Sequence, residues 1–238
     1  MNGLGATYLE ESFRILAKQT LDSFEVIVSD QSVNDDVKEL CEAWQGRLHL
    51  CHYWNRDGER QASANINHAL ERARGAVHKV LFQDDFILSE TALQEIFNAF
   101  DGQEAMWLLT GSGITKDGQT IERPMVPHLT PKLHFGKNTV SSPSVLALRA
   151  SCEHRFDENL IWLMDVESYA RLWEEFGNPI ILPETLVANR LHADQVSESI
   201  DRELQKRELD YVRKKFTSFT KMSGYLEYAK RRAKTLFR

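Results

Sequence analysis

Short apolar runs alternate with helical patterns through the first half of this chain, and that rhythm constrains the fold more than any other feature. Residues 8–19, YLEESFRILAKQ, carry Leu9, Phe13 and Leu16 at helical spacing, and FEVIVSD at 24–30 reads as a buried strand. DDVKELCEAWQG then reads as a helix closing at Gly46, RLHLCHYW as a strand, and QASANINHALERARG as a helix ending at Gly75. KVLF at 79–82 is a further strand, followed by a helix from Ser89 to Phe100 and a strand AMWLLTG. This alternation, with short connections, predicts a mostly parallel sheet flanked by helices, an α/β fold. Beyond about residue 112 the rhythm breaks. TKDGQT is a hairpin turn signal, 123–137 holds three of the six prolines, and SVLALR at 144–149 reads as a strand. A helix over 165–176 and a strand-like PIILPETLVANRLH follow.

In sheets of this kind ligands sit beyond the carboxyl ends of the strands. Asp30 and the adjacent pair Asp84 and Asp85 stand at such ends. Neighbouring carboxylates repel, and each resists desolvation unless a cation or a hydrogen-bond donor compensates it. The plain alternative is a polar turn leading into a helix capped at Ser89, since loops favour Asp.

With 238 residues and 42% hydrophobic content, the chain can bury a large core. The reading is one domain over 1–200 and a helical appendage over 201–238. Three cysteines without C-x-x-C spacing argue against a disulfide framework or a zinc site, and a reducing cytoplasm is expected. The net charge of −6 is unevenly spread. From Arg202 onward 12 Lys and Arg face 4 Asp and Glu, so the tail is basic and the body acidic. An acidic body argues against nucleic acid as a partner, because such binding rests on a broad basic face.

The ordered set YLEES, QTLDSFEVIVSDQSVND, NRDGERQASANINHALERARG, VLFQDDF, SSPSVLALR, FDENLIWLMDVESYARL and RLH resembles glycosyltransferase family 2, of the GT-A fold, across residues 8–195. The resemblance implies an inverting transferase that moves a sugar from a nucleotide diphosphate donor to a polysaccharide or lipid-linked glycan. It also implies a divalent cation, Mn2+ or Mg2+, held by Asp85 and the donor phosphates. Asp84 would touch the ribose or sugar. The family more often carries an acid three places before Asp85, where this chain has Phe82.

Asp30 and Gln31 fall where the family reads the base, with Gln31 in place of a second acid. Arg60 and Asn67 fall where a basic and an amide group lie over the donor, and His192 where a histidine faces the diphosphate or metal. Asp165 aligns with the general base that takes the acceptor hydroxyl proton, although Met164 replaces the acid that usually precedes it. A helix-capping role for Asp165 is compatible with that one. Trp162, Ser142 and Ser144 would line the acceptor side, whereas Asp157 and Glu158 read as a turn and Glu167 as pointing elsewhere.

Members of the family begin with a buried strand ahead of the segment matching YLEES, but only MNGLGAT precedes Tyr8. The expectation is therefore an upstream strand, a substitute for it, or a catalytically degenerate domain that binds nucleotide-sugars or acts as a scaffold. A sugar nucleotidyltransferase would need a Gly-rich basic N-terminal loop, which is not found here. KMSGYLEYAKRRAKTLFR at 221–238 is basic with an apolar component at helical spacing. It suits a helix on an anionic membrane surface, peripheral at the inner face of the cell membrane, or one that packs on the body.

Overall fold

The structure is a computed structural model that describes residues 4–57, 59–192, 200–216, 226 and 228–233. Its elements run α1 (Leu4–Leu16), β1 (Val26–Asp30), α2 (Asp36–Trp44), β2 (Leu50–Trp54), α3 (Ala62–Leu70), β3 (Val77–Lys79), β4 (Phe86–Ile87) and α4 (Ala92–Ala99). Then come β5 (Trp107–Thr115), β6 (Glu122–Met125), β7 (Leu146–Arg149), α5 (Met164–Phe176), β8 (Ile180–Arg190) and α6 (Arg202–Lys215).

The α/β class is as expected, but the larger sheet is mixed. Among the described strands β1–β2 and β5–β8 pair in parallel, while β3–β7, β5–β7, β4–β8 and β5–β6 are antiparallel. β5 and β6 are joined by the TKDGQT turn, a connection too short for the crossover that a parallel neighbour needs.

β5 is the middle of the six-stranded sheet, whose order is β3-β7-β5-β8-β4 with β6 on β5. Its side chains alternate between two cores, as the two-residue period of a strand requires. Trp107 and Leu109 join Leu146, Leu148 and Tyr169 on one face, and Leu108 joins Phe13, Trp44 and Ile96 on the other. Where the β5–β8 register shifts, a Cβ on Gly111 would lie 2.6 Å from the carbonyl oxygens of Pro183 and Glu184, so only glycine fits. Leu209, Val212, Phe216 and Tyr228 enter the same core as Trp107. Tyr228 also hydrogen-bonds Asp210, and Arg232 pairs with Asp210 at 3.2 Å. The rest of the 221–238 segment, apart from 226 and 228–233, lies outside the described residues. Among those described, no helix is long and apolar enough to cross a membrane.

β1 and β3 belong to different sheets, and no ladder joins them. Val26 N donates to His49 O, and Asn55 N donates to Asp30 O. The alternation of a parallel ladder thus turns the peptide groups of Ile27 and Ser29 away from β2. Val80 N donates to Leu146 O and Ala150 N to Ala76 O, which turns those of Val77 and Lys79 away from β7. A cavity of about 1180 Å³ lies between these edges, with Phe13 and Leu16 of α1 and Ile66 and Leu70 of α3 in its walls. α1 starts beside Gln83, just past the carboxyl end of β3. A strand lying in the cavity and ending at that level would lead directly into α1.

Candidate functional site

The two acids that follow β3 face opposite ways. A turn closed by Asp85 N donating to Phe82 O (3.1 Å) directs Asp85 inward, where it is 4% exposed. Its Oδ1 accepts from Arg190 N (3.1 Å), and its Oδ2 accepts from Asn189 Nδ2 (2.9 Å) and Ser142 Oγ (3.0 Å). Burial, and then the charge on Asp84, push its carboxyl up to about 6, against the pull of the Asn189 and Arg190 hydrogen bonds. Asp84 instead turns toward His192, with Oδ2 and Nε2 3.0 Å apart, while its carbonyl accepts from Arg190 Nε (3.1 Å). Arg190 continues to Glu11 of α1 at 2.6 Å and lies over the Tyr8 ring.

At the carboxyl end of β1, Asp30 is buried. Its Oδ1 accepts from Ser32 N (2.7 Å), and its Oδ2 is 2.9 Å from His52 Nε2. Gln31 donates its amide to Glu59 O (2.9 Å), and Arg60 is exposed ahead of α3. The α3 amide on the cavity is that of Asn65, which donates to Ser29 O at 2.9 Å. Asn67 does not reach the cavity. It donates to Phe156 O and Glu158 Oε1 and accepts from Phe156 N, which ties α3 to the 156–158 segment. Two positions along a helix turn a side chain through about 200°, so residues 65 and 67 cannot share a face.

Asp165 sits in the first turn of α5, where the N-cap is Leu163. Its Oδ1 accepts from Val166 N and its Oδ2 from Asn138 Nδ2, both at 2.7 Å. Asn138 cannot flip, because its Oδ1 accepts from Val140 N and Ser141 N. Desolvation pushes the Asp165 carboxyl up to about 7; its hydrogen bonds pull the other way, and the charge on Glu208 adds to the rise. Ser144 Oγ accepts from Phe82 N and so supports the exit from β3. Glu167 is buried and paired with Arg171 (2.8 Å) and Lys215 (2.7 Å).

One cavity brings Asp30, Gln31, Arg60, Asp84, Asp85, Asp165 and His192 together, with Ser142 and Trp162 on its wall. Sequence reasoning missed Lys79, Asn138 and Asn189. Lys79 donates to Val80 O and Ser144 O, and burial pushes its amine down to about 7. A lysine inside an apolar run was the signal for it. Asn189 precedes the RLH motif and contacts Asp85 only because β8 passes that loop.

The fit to a cation is incomplete. Among the described residues no three His, Cys, Asp or Glu are grouped to hold one. Both oxygens of Asp85, the expected ligand, accept from the protein. Asp84 stays partly exposed, and among the described residues the buried Nδ1 of His192 has no hydrogen-bond partner.

No curated protein sequence matches the chain. Its fold is similar to that of S. aureus TarS 1–349 in complex with UDP, at 17% identity and TM-score 0.63, over 92% of this chain and 70% of that one. It is likewise similar to the UDP-GlcNAc complex of TarS 1–349, at 16% identity and TM-score 0.64, over 95% and 76%. Mannosyltransferase PcManGT from Pyrobaculum calidifontis, in complex with GDP-Man and Mn2+, aligns at 13% identity and TM-score 0.58, over 86% of this chain and 58% of that one. Against a longer TarS structure the chain spans 45% of the neighbour's length. The family model described as glycosyl transferase family 2 matches residues 2–147. With more than half of the chain inside that match, this protein belongs to glycosyl transferase family 2.

Proposed function

We propose that the chain transfers a sugar from a nucleotide diphosphate donor to a hydroxyl of a glycan or lipid-linked glycan, with inversion and with Asp165 as general base. The observation that carries this reading is the single cavity holding the base-reading end of β1, the acid pair after β3 and Asp165 of α5. Asp30 and Gln31 would border the nucleoside, and Arg60 and His192 the diphosphate. Asp165, raised to about 7, is poised to accept a proton near neutral pH. As the acceptor oxygen attacks the anomeric carbon, its O–H bond breaks and the proton passes to an Asp165 oxygen. The new C–O bond forms on the face opposite the departing diphosphate, which leaves with the electron pair of the broken bond. Positive and N–H groups at the cavity then stabilise charge that develops on that diphosphate. A divalent cation, when bound with the donor phosphates, would neutralise that same charge, and among the described residues Asp84 and His192 are side chains that keep coordinating atoms free to hold it.

The engaged state of Asp85 favours a second reading, a domain that binds nucleotide-sugars without turning them over. A panel of nucleotide-sugars, with and without Mn2+, separates the two. A thermal shift with donor hydrolysis or transfer upholds the transferase, a shift without turnover upholds the binding domain, and no shift with any donor refutes both.

A further inference from the structure

The backbone N–H groups of Ile161, Trp162 and Leu163 lead into α5, whose N-cap is Leu163, and so lie upstream of the positions that a capping side chain of that helix reaches. Buried here, they need an acceptor from elsewhere. That acceptor comes from α6. Glu208, 1% exposed, takes Ile161 N on Oε1 (2.8 Å) and Trp162 N (2.9 Å) and Leu163 N (2.8 Å) on Oε2. A carboxylate held at a helix N-terminus is favoured by the helix dipole as well as by these bonds. Leu209 and Val212, which lie in one core with Leu163 and Met164, anchor α6 against this segment.

The same helix fastens both ends of the loop. Lys215 pairs with Asp157 at 2.5 Å and with Glu167 at 2.7 Å, and Tyr211 donates to Asp157 at 2.9 Å. Ile161 and Trp162, whose N–H groups Glu208 holds, line the cavity alongside Asp165.

We propose that Glu208 is a positioning residue for transfer, in that its carboxylate fixes the 161–163 segment and thereby sets where Trp162 and Asp165 stand against an acceptor. This rests on the reading of Asp165 as the base. Glu208 lies outside the cavity and acts through the backbone it holds, while its charge adds to the rise of the Asp165 carboxyl, a contribution that Glu208→Asp keeps and Glu208→Gln removes. A mere stability cap would change the unfolding midpoint and leave kinetics alone. A positioning residue changes turnover while sparing the donor, whose proposed partners lie at the end of β1, ahead of α3, in the turn after β3 and just past β8.

The test is Glu208→Gln, which keeps the shape but sets an NH2 against N–H donors, compared with Glu208→Asp, which keeps the charge but shortens the reach. The expected result for Glu208→Gln, measured well below its unfolding temperature, is faster hydrogen exchange at the 161–163 amides. A kcat lowered about tenfold to a hundredfold should accompany it. The donor dissociation constant should stay within about twofold of wild type. Should Glu208→Gln not fold, Glu208→Asp carries the same comparison. Unchanged exchange overturns the proposal, as does faster exchange with unchanged kcat. If the wild-type chain turns over no donor, the functional reading falls. Faster exchange in the variant then still upholds the clamp, and unchanged exchange still overturns it.

Discussion

Replacing Asp165 with Asn should move catalysis and stability in opposite directions. The Asp165 carboxyl is raised from an ordinary 3.8 to about 7 in the folded chain. For a group raised on folding, the stabilising contribution is fully present below the unfolded value and is lost as pH rises through the folded one. Between pH 5 and pH 8 the unfolded chain carries an ionised Asp165, whereas the folded chain gives up that proton only near pH 7. Across that interval wild type therefore loses on the order of 2 to 3 kcal/mol relative to a side chain that cannot ionise. The Asp165→Asn variant also forfeits one of the two hydrogen bonds that the carboxylate oxygens accept, because Val166 N and the locked NH2 of Asn138 both donate toward this position. That loss, about 1 kcal/mol, is the same at both pH values and cancels in the difference. Urea denaturation of wild type and Asp165→Asn at pH 5 and pH 8 reads the effect directly. In the same preparations transfer should fall about a hundredfold or more with donor affinity unchanged, and wild-type kcat should climb through about pH 7. A pH difference under about 0.5 kcal/mol would mean that the carboxyl is solvated in the folded chain, and full transfer by the variant would remove Asp165 as the base.

Asp85→Ala leaves Asn189, Ser142 and Arg190 N without their acceptor, and is expected to cost on the order of 2 kcal/mol in urea denaturation at pH 5 and, by loosening the turn that presents Asp84, to weaken donor binding in calorimetry. Gly111→Ala sets a Cβ against two carbonyl oxygens that cannot yield without parting β5 from β8, and should lower stability by about 2 kcal/mol or more in chemical denaturation. An apolar, β-branched segment of about six residues joined ahead of α1 should raise the thermal midpoint by pairing with the edges at Ile27 and Val77, and an unchanged midpoint would assign that part of the cavity to something other than a strand. Vesicles with anionic lipid should bind the intact chain at low salt and lose it on salt addition or on removal of 221–238, whereas equal binding by the shortened chain would favour packing of the tail on the body.

Elements with an unbroken apolar run or a clear helical stripe were the legible ones. FEVIVSD and DDVKELCEAWQG became β1 and α2 within two residues of the expected ends, because an apolar run and a helical stripe each have one way to be buried. KVLF was read too far along. Its ladder is Val77–Lys79, and the chain leaves β7 after Val80 so that the next residues can carry the acid pair. Strand direction was not legible, because β3–β7 and β5–β7 pair residues tens of positions apart and no local pattern encodes the sense of such a pair. Asn67 shows the limit of motif alignment. Its neighbour Asn65 faces the cavity, and only the phase of α3 distinguishes them.

Glu208 was hidden for a related reason: it is one of four acids in a basic stretch, which locally reads as a solvated face. Its position beside Leu209 and ahead of Val212 places it on the buried stripe of α6, and a carboxylate on a buried stripe must find donors. The same necessity accounts for the paired acids after β3. Asp85 faces donors from β8 and the 142 turn, Asp84 faces His192, and Arg190 spans the two by giving its N–H to one carboxylate and its side chain to the other's carbonyl. Because Arg190 also reaches Glu11, the turn that presents Asp84 is held by both β8 and α1. A substitution at Arg190 would therefore release the acid pair from two elements at once, which makes it a poor probe of donor chemistry and a sensitive probe of how that turn is built.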